Sequence, residues 1–187
     1  GCRIWDLKVT DLMQGPVYGI ETEESDIDDR LKTRFGYDEL FGTIVNRFIT
    51  QAVIDYPLTV YGSGEQTRGY LNIKDTLQCI HVAEQNQAKP GELNIYNQIM
   101  ETFTVNQLAE LTQQVGQELG YDVKINSIQN PRIEKEEHYY NPSYQGLIEL
   151  GVKPHYLTKD SMKEIFKIVS QYKSKIRKDV VFRGVKW

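Results

Sequence analysis

Apolar residues recur along three stretches of this chain at the spacing of an amphipathic helix. The clearest stretch covers residues 39–56, where they fall two per turn on one face. Residues 105–119 follow a Thr104/Gln107 pair that is typical of a capping box, and a last long helix is predicted after Thr158. The stripe predicted to face the core in the first of these helices consists of Leu40, Phe41, Ile44, Val45, Phe48, Ile49, Ala52 and Val53.

Short apolar runs between turn residues predict the strands. Residues 7–13 form one such run, and Pro57 begins another, since proline cannot donate to a strand ladder and sits best at a strand's first residue. Residues 67–73 and 93–96 also have the character of strands, the latter through alternating side chains. We expect residues 7–13 to lack parallel neighbours, so that residues 1–34 are loose or form association contacts.

Composition and charge exclude several classes of function. The 187 residues are 40% hydrophobic and 26% charged, which is ordinary for a globular protein, and a net charge of -4 gives no reason to expect a nucleic-acid partner. No apolar run approaches the length that spans a membrane, so no membrane partner is expected. Cys2 and Cys79 lack metal-ligand spacing and fit a reducing compartment, which favours a cytoplasmic location.

Two groups of potential metal ligands lack the geometry of a metal site. Residues 21–30 contain six carboxylates, but their spacing is irregular, so we predict a solvated loop rather than a calcium loop. Glu137 and His138 lie next to each other without a third ligand at a suitable spacing. We therefore expect no metal cofactor.

Residues 57–79 bring together a strand, a glycine turn, an arginine and a helix start. They read PLTVYGSGEQTRGYLNIKDTLQC, with Gly62 and Gly64 where the chain turns, since glycine has no Cβ to hinder the turn or a ligand. Arg68 follows on the next predicted strand, and its planar guanidinium can hold two phosphate oxygens at once. Asp75 is placed to cap the following helix. The pattern therefore predicts that Arg68 binds a diphosphate.

This segment resembles the pattern P-L-x-V-Y-G-x-G-x-Q-x-R-x-Y of the extended short-chain dehydrogenases that act on nucleotide-activated sugars, the NAD-dependent epimerases and dehydratases. The resemblance continues through TDLMQGPVYG (residues 10–19), FGTIVNRFITQA (41–52), NPRIEKEEHYYN (130–141) and LGVKPHYL (150–157). Within the family, QGPVYG and EEHYYN resemble the sulfoquinovose-forming branch. The implied fold class is α/β: the C-terminal portion of an extended short-chain dehydrogenase, with the last Rossmann strands and a mixed α/β substrate-binding domain.

The resemblance also implies a division into domains. Residues 1–38 would end the NAD-binding Rossmann domain, and residues 39–187 would form the sugar-nucleotide-binding domain, with 39–56 and 71–98 returning to the Rossmann core.

The family's glycine-rich NAD turn and its Tyr-x-x-x-Lys pair on a helix do not occur in this sequence. Since both lie upstream in the family, we expect part of a longer enzyme, inactive by itself, and assign no catalytic residue.

Two pairs of residues are implied in ligand contacts by this resemblance. Gln14 and Val17 would line the nicotinamide or sugar end of the pocket, because Gln14 ends a predicted strand where open α/β sheets bind ligands. A turn made by Gly15 and Pro16 is the structural alternative. Asn46 and Arg47 would contact the sugar nucleotide, or else form the ordinary polar face of their helix.

A third group of residues would bind the nucleotide itself. At the uridine end the resemblance implies Thr59, Val60 and Tyr61, of which Tyr61 offers a flat apolar face. Gln66 is also implied in the substrate site. Arg132 would share the diphosphate with Arg68, and Glu136 or Glu134 would accept hydrogen bonds from the ribose hydroxyls.

The function implied is synthesis of UDP-sulfoquinovose from UDP-glucose and sulfite, or a sulfite donor, with tightly bound NAD. Oxidation at C4 of the sugar would allow water to leave across C5 and C6, sulfite would add at C6, and C4 would be reduced again. A homodimer formed through the upstream half is implied, in the cytoplasm or, in a plastid-bearing organism, the chloroplast stroma. Two alternatives stay open: another nucleotide-sugar epimerase or dehydratase, and a non-catalytic nucleotide-sugar-binding fragment.

Overall fold

The computed structural model describes residues 1–38, 41–130 and 142–181. The strands in these ranges are β1 (Val9–Gln14), β2 (Val17–Tyr18), β3 (Leu58–Tyr61), β4 (Thr67–Asn72), β5 (Leu93–Gln98), β6 (Glu101–Thr104) and β7 (Ile125–Ile128). The helices are α1 (Cys2–Trp5), α2 (Glu23–Ile27), α3 (Ile44–Val53), α4 (Ile73–Gln85), α5 (Val105–Glu118), α6 (Gln145–Glu149), α7 (Lys159–Gln171) and α8 (Lys178–Val181), with 3₁₀ turns at Asp29–Leu31 and Lys173–Lys175.

The described strands form three small sheets, in which parallel pairs dominate. Strand β1 pairs with β5 and β3 pairs with β7, both in parallel. In the third sheet β4 lies between β2, which is parallel to it, and β6, which is antiparallel. Helices lie between β2 and β3, between β4 and β5, and between β6 and β7, so the predicted α/β class is confirmed.

The prediction that the first strand lacks a parallel neighbour is wrong. Strand β1 is in register with β5 along its whole length, from Val9 opposite Leu93 to Gln14 opposite Gln98. The first 34 residues also contribute to the interior, because Tyr18 is completely buried in the main core. A partner more than 80 residues away supplies the ladder, and such a pairing leaves no trace in the local pattern.

Helix α3 lies at the centre of the main core, where it packs against α5 and α7. It begins at Ile44, after the N-cap Thr43, rather than at the predicted residue 39. Phe41 therefore precedes the helix and is 84% exposed. From Val45 to Val53 every residue is buried, so α3 has no solvent face, and the single predicted stripe underestimates its burial.

Capping residues define the starts of the other long helices. The Thr104/Gln107 capping box before α5 is confirmed, and Thr158 caps α7 together with Ser161. Helix α4 begins at Ile73 with Asn72 as its N-cap, so the assignment of that role to Asp75 is wrong. Asn72 accepts a hydrogen bond from the Lys74 N–H, which leaves Asp75 inside the first turn.

A second, smaller core lies between α4, α6 and the strands that carry the predicted ligand residues. Its fully or nearly fully buried members are Leu71, Cys79, Met100, Leu147 and Val152. Burial raises the pKa of the Cys79 thiol to about 11, which makes this cysteine unreactive at neutral pH. The domain boundary proposed at residue 38 stays a prediction.

Two phenylalanines of the predicted stripe provide a matched test of where α3 begins. Phe48 is 0% exposed, so Phe48→Ala should lower the free energy of unfolding by about 3–5 kcal/mol through the cavity that it leaves. Phe41→Ala removes the same side chain from an exposed position and should change stability by less than about 0.5 kcal/mol. Urea denaturation of the two variants measures both values, and equal losses would contradict the position of the helix.

Candidate functional site

The turn between β3 and β4 depends on two glycines. Gly62 and Gly64 have φ values of +67° and +76°, in the left-handed region that favours glycine. A Cβ built on Gly64 would lie 2.0 Å from Oδ1 of Asn106. The Asn106 side chain also donates to the Ser63 carbonyl at 2.9 Å, which connects the start of α5 to this turn. A side chain at position 64 would therefore displace Asn106 from this turn, and would also strain the backbone at a positive φ.

Arg68 extends from β4 beside this turn. It is half-buried, lies opposite Phe103 of β6, and donates from Nη1 to the Thr67 carbonyl at 2.9 Å. Gln66, two residues earlier, donates from Nε2 to the Tyr61 carbonyl at 3.1 Å. The predicted arginine, glutamine and tyrosine are thus grouped around one glycine turn, and a partly exposed guanidinium there has the chemistry to hold an anion.

Helix α3 contacts β3 through two polar side chains that are buried. Arg47 donates from Nη2 to the Thr59 carbonyl at 3.3 Å, and its guanidinium lies 4.9 Å from the centre of the Tyr61 ring. Gln51 accepts the Thr59 N–H at 3.1 Å and donates to the Thr59 hydroxyl at 2.8 Å. Arg47 therefore lies in the interior rather than on a polar helix face, in contact with the predicted uridine strand.

The three residues predicted at the uridine end differ in their surroundings. Val60 is completely buried in the main core, and Thr59 is buried beneath α3. Tyr61 alone among the three is half-buried. A base that paired with the Thr59 backbone would have to replace Gln51 or Arg47 as its partner, so Tyr61 is the residue of the three best placed to contact a ligand.

Asn46 contributes a second buried polar group on α3. It is 5% exposed, and its Oδ1 atom has no hydrogen-bond partner among the described residues. A buried acceptor of this kind costs free energy unless a donor meets it. A ligand hydroxyl is one donor that would satisfy it, which agrees with the prediction that Asn46 contacts the substrate.

Gln14 and Val17 lie on different sheets. Gln14 ends β1 with an exposed side chain, opposite the buried Gln98. Val17 is half-buried on β2 and packs against the second core. Between them, a Cβ built on Gly15 would lie 2.9 Å from the Ile99 side chain, so the turn itself has a structural reason for its glycine.

Several predicted residues fall outside the described part of the chain. Residues 131–141 contain the arginine and the acids that were expected to complete the nucleotide site, namely Arg132, Glu134 and Glu136. The Glu137/His138 pair lies in the same range. Tyr70 and Lys74 have the spacing of the family's proton-transferring pair, but Tyr70 is a buried residue of β4. The described ranges therefore contain no Tyr-x-x-x-Lys pair that lies on a helix.

Sequence analysis missed a buried polar cluster that holds the segment between α6 and α7. Asp75 is completely buried and accepts the His155 N–H at 2.9 Å, while Nδ1 of His155 lies 2.6 Å from its other oxygen. Glu101 accepts the Tyr18 hydroxyl at 2.5 Å and the Leu157 N–H at 3.0 Å. The two carboxylates therefore dock residues 155–157 onto α4, which carries Asp75, and onto β6, which carries Glu101.

Burial determines the titration of this cluster. Desolvation raises the pKa values of Asp75 and Glu101, although hydrogen bonds from His155 and Tyr18 oppose the shift. The Tyr18 pKa is raised as well, by burial and by the nearby Glu101. The motif LGVKPHYL contains His155 and Leu157. The acids that accept their N–H groups, Asp75 and Glu101, lie far away in the sequence, so the motif alone does not reveal the cluster.

The surroundings of the cluster carry charges of both signs. A cleft of about 610 Å³ beside His155 is lined by Lys74, Lys153 and His81 together with Glu23 and Glu24. His81 is exposed, and its Nε2 lies 3.0 Å from Nε2 of Gln85. In the described ranges no group of three or more His, Cys, Asp or Glu side chains is arranged to hold a metal ion.

Comparison with known proteins identifies the relatives of the chain. No protein-family model matches it. UDP-sulfoquinovose synthase of Spinacia oleracea, a chloroplastic protein, is 46% identical over 186 residues, covering 100% of this chain and 39% of the relative. UDP-sulfoquinovose synthase of Sulfolobus acidocaldarius is 42% identical over 187 residues, covering 99% of this chain and 47% of the relative. The chain is related to the C-terminal part of UDP-sulfoquinovose synthases.

Solved structures of two epimerases share the fold of this chain. UDP-glucose 4-epimerase of Thermotoga maritima has a TM-score of 0.65 at 20% identity, over 91% of this chain and 48% of that one. UDP-glucose 4-epimerase of Thermus thermophilus has a TM-score of 0.63 at 18% identity, over 87% and 47%. The predicted portion of an extended short-chain dehydrogenase is confirmed. The chain spans less than half the length of the synthases that it matches.

Among the described helices, none is long and apolar enough to cross a bilayer.

The raised pKa values predict how stability depends on pH. Because the folded chain holds protons on Asp75 and Glu101 more tightly than the unfolded chain, their contribution is greatest below the ordinary carboxyl pKa and falls as pH rises through the raised values. Asp75→Asn should make this fall smaller while retaining an acceptor for the His155 N–H. Melting temperatures between about pH 4 and about pH 8 measure the effect.

Glu118 provides a control of opposite sign. Lys163 and Lys159 lower the pKa of this exposed carboxyl, so its contribution is present at neutral pH and is lost as pH falls through the lowered value. Glu118→Gln should therefore change the acid side of the curve, without altering the loss of stability at higher pH. A curve for Asp75→Asn that runs parallel to wild type would contradict the role given to the buried acid.

Proposed function

We propose that this chain is the substrate-binding part of an enzyme that makes UDP-sulfoquinovose from UDP-glucose and sulfite. The observation that carries this proposal is the match of the whole chain to two synthases with that name, at 46% and 42% identity. The geometry agrees, because the residues of the shared motif meet at one glycine turn. UDP-glucose would bind there with its diphosphate at Arg68 and its base beside Tyr61.

Each part of the nucleotide sugar has a proposed partner in the chain. Arg68 binds the diphosphate, because a half-buried guanidinium forms stronger contacts with phosphate oxygens than an exposed one does. Asn46 offers its buried Oδ1 to a substrate hydroxyl, and Arg47 and Gln66 support Tyr61. Arg132 and Glu136 are proposed to complete the site at the diphosphate and the ribose.

In this chain, only the nicotinamide end of NAD has a proposed partner. The exposed amide of Gln14, at the carboxyl end of β1, is suited to the nicotinamide or the reacting sugar, whereas the Val17 side chain is held against the second core. NAD supplies a hydride acceptor for the oxidation of the sugar and a donor for the later reduction. The residues of this chain orient the sugar for that exchange, and the proton transfer at C4 is assigned to residues of the longer enzyme.

Sulfite, dimerisation and compartment are parts of the same proposal. Sulfite, or a donor that delivers it, would add to the sugar carbon left electrophilic by the loss of water. The complete enzyme would form a homodimer through the portion that precedes this chain in its relatives. The chloroplastic spinach relative favours the stroma in a plastid-bearing organism, and the cytoplasm elsewhere.

A different reaction on a nucleotide sugar is the second candidate. UDP-glucuronic acid decarboxylase 1 of Arabidopsis thaliana is 30% identical over 104 residues, or 52% of this chain. Sulfite dependence separates the candidates: a longer protein that contains this chain should convert UDP-glucose to a sulfonated product only with sulfite and NAD. Turnover of the nucleotide sugar without any need for sulfite would overturn the synthase proposal.

The diphosphate role of Arg68 can be tested on the chain by calorimetric titration with UDP-glucose. Arg68→Ala should weaken binding roughly tenfold to a hundredfold, because a hydrogen-bonded charge contributes about 1.5–3 kcal/mol. Arg68→Lys keeps the charge without the planar fork and should fall between wild type and Arg68→Ala. In the longer enzyme, Arg68→Ala should raise the KM for UDP-glucose and leave the NAD content unchanged.

The matched control is another arginine of the chain. Arg30 is exposed and paired with Asp28, far from β4 in sequence and outside the turn, so Arg30→Ala should leave the affinity for UDP-glucose unchanged. Equal affinities of wild type and Arg68→Ala would remove Arg68 from the diphosphate site. Failure of the wild-type chain to bind UDP-glucose would overturn the proposed binding function itself.

A further inference from the structure

We infer that Gln51 is a positioning residue that fixes the outer edge of β3, and with it the base-contacting Tyr61. The inference rests on the proposed nucleotide-sugar site and adds a residue that makes no contact with the ligand. Gln51 is completely buried on α3, two helical turns after Ile44. Its effect on binding would pass through Thr59 alone.

The two edges of β3 are held in different ways. Toward β7, the Leu58 N–H donates to Lys124 at 2.7 Å and the Gly62 N–H donates to Ile128 at 2.9 Å. Because backbone groups alternate in direction along a strand, the N–H and C=O of Thr59 point to the opposite edge. No described strand pairs with that edge, and side chains satisfy it instead.

Gln51 makes two of the three contacts that α3 forms with Thr59 at this outer edge. Its Oε1 accepts the Thr59 N–H at 3.1 Å, and its Nε2 donates to the Thr59 hydroxyl at 2.8 Å. Arg47, one turn earlier on α3, donates to the Thr59 carbonyl at 3.3 Å. All three polar groups of Thr59 are therefore held by one helix, which fixes the strand's distance and register relative to α3.

A glutamine at this position is informative because it is costly to bury. A leucine or methionine of similar size would fill the space between α3 and β3 without burying an amide or leaving it in need of partners. Two other buried hydroxyls, of Thr50 and Thr112, bond only to carbonyls of their own helices, at 2.8 Å and 2.7 Å. Gln51 differs from them in bonding to another element, as a residue that sets relative position must.

The position of β3 is passed to the ligand through Tyr61. Tyr61 lies two residues after Thr59 on the same strand, and its ring lies 4.9 Å below the Arg47 guanidinium. Its carbonyl accepts the Gln66 side chain of the glycine turn. A shift of Thr59 away from α3 would therefore move the ring that faces the base, but would leave the Arg68 guanidinium on β4.

The test compares two ligands that differ in the base. UDP-glucose and ADP-glucose share the diphosphate and the sugar, so the ratio of their Kd values reports the base contact separately from the rest. Gln51→Met removes both hydrogen bonds at nearly constant volume. We expect it to weaken UDP-glucose binding about tenfold and ADP-glucose binding by less than about twofold, and to speed exchange of the Thr59 amide hydrogen by tenfold or more.

Two further variants test whether Gln51 acts through Thr59. Thr59→Val deletes the hydroxyl and should likewise reduce the preference for UDP-glucose over ADP-glucose, whereas Thr59→Ser keeps it and should resemble wild type. The double variant Gln51→Met with Thr59→Val should lose no more base discrimination than Gln51→Met alone. Thr59→Val also keeps the test decisive if Gln51→Met fails to fold.

Thr112→Val is the matched control, because it removes a buried hydroxyl from the same core without affecting β3. It should lower stability and leave the Kd ratio unchanged. Equal weakening of both ligands by Gln51→Met, or no weakening of either, would overturn the positioning role while leaving the proposed function standing. Absence of UDP-glucose binding by the wild-type chain would overturn both.

Discussion

The complete burial of α3 is the constraint on which the rest of this structure depends. Nine consecutive residues, Val45–Val53, are enclosed by neighbouring elements, so the polar side chains among them need partners inside the protein. Arg47 and Gln51 find those partners on Thr59 of β3. The helix that carries the core thus also holds the strand on which the candidate nucleotide site is built.

A second set of buried polar groups holds the segment between α6 and α7. Asp75 and Glu101 accept the backbone N–H groups of His155 and Leu157, and so attach the segment after α6 to α4 and β6. Removing a carboxylate from water costs free energy, which their raised pKa values reflect. Hydrogen bonds with fixed direction offset part of that cost and define where the segment docks.

The comparisons and the geometry answer different questions about this chain. The identity to synthases extends from end to end, but it covers under half of each of them. The solved epimerases, at 20% identity or less, establish the fold and not the reaction. The described residues accordingly contain groups suited to an anionic ligand, and binding of a nucleotide sugar stays part of the proposal, as does the transfer of hydride and protons by residues outside this chain.

Local sequence determined the features that depend on neighbours along the chain. The strands around Gln14 and Arg68, the capping box at Thr104 and the inward face of α7 follow from alternation, helical periodicity and capping chemistry, which act over a few residues. The glycines at residues 62 and 64 were likewise apparent, because a left-handed turn requires them. The motif around Arg68 also indicated the family.

Only the tertiary structure decided which distant residues meet. The pairing of β1 with β5, the hydrogen bonds of Gln51 to Thr59 and the docking of His155 on Asp75 join residues that no local period relates. Asp75 shows the reason clearly, since a carboxylate in the first turn of a helix usually serves the helix itself. Here it accepts a backbone N–H 80 residues away, because folding brings that donor to a carboxylate that is itself completely buried.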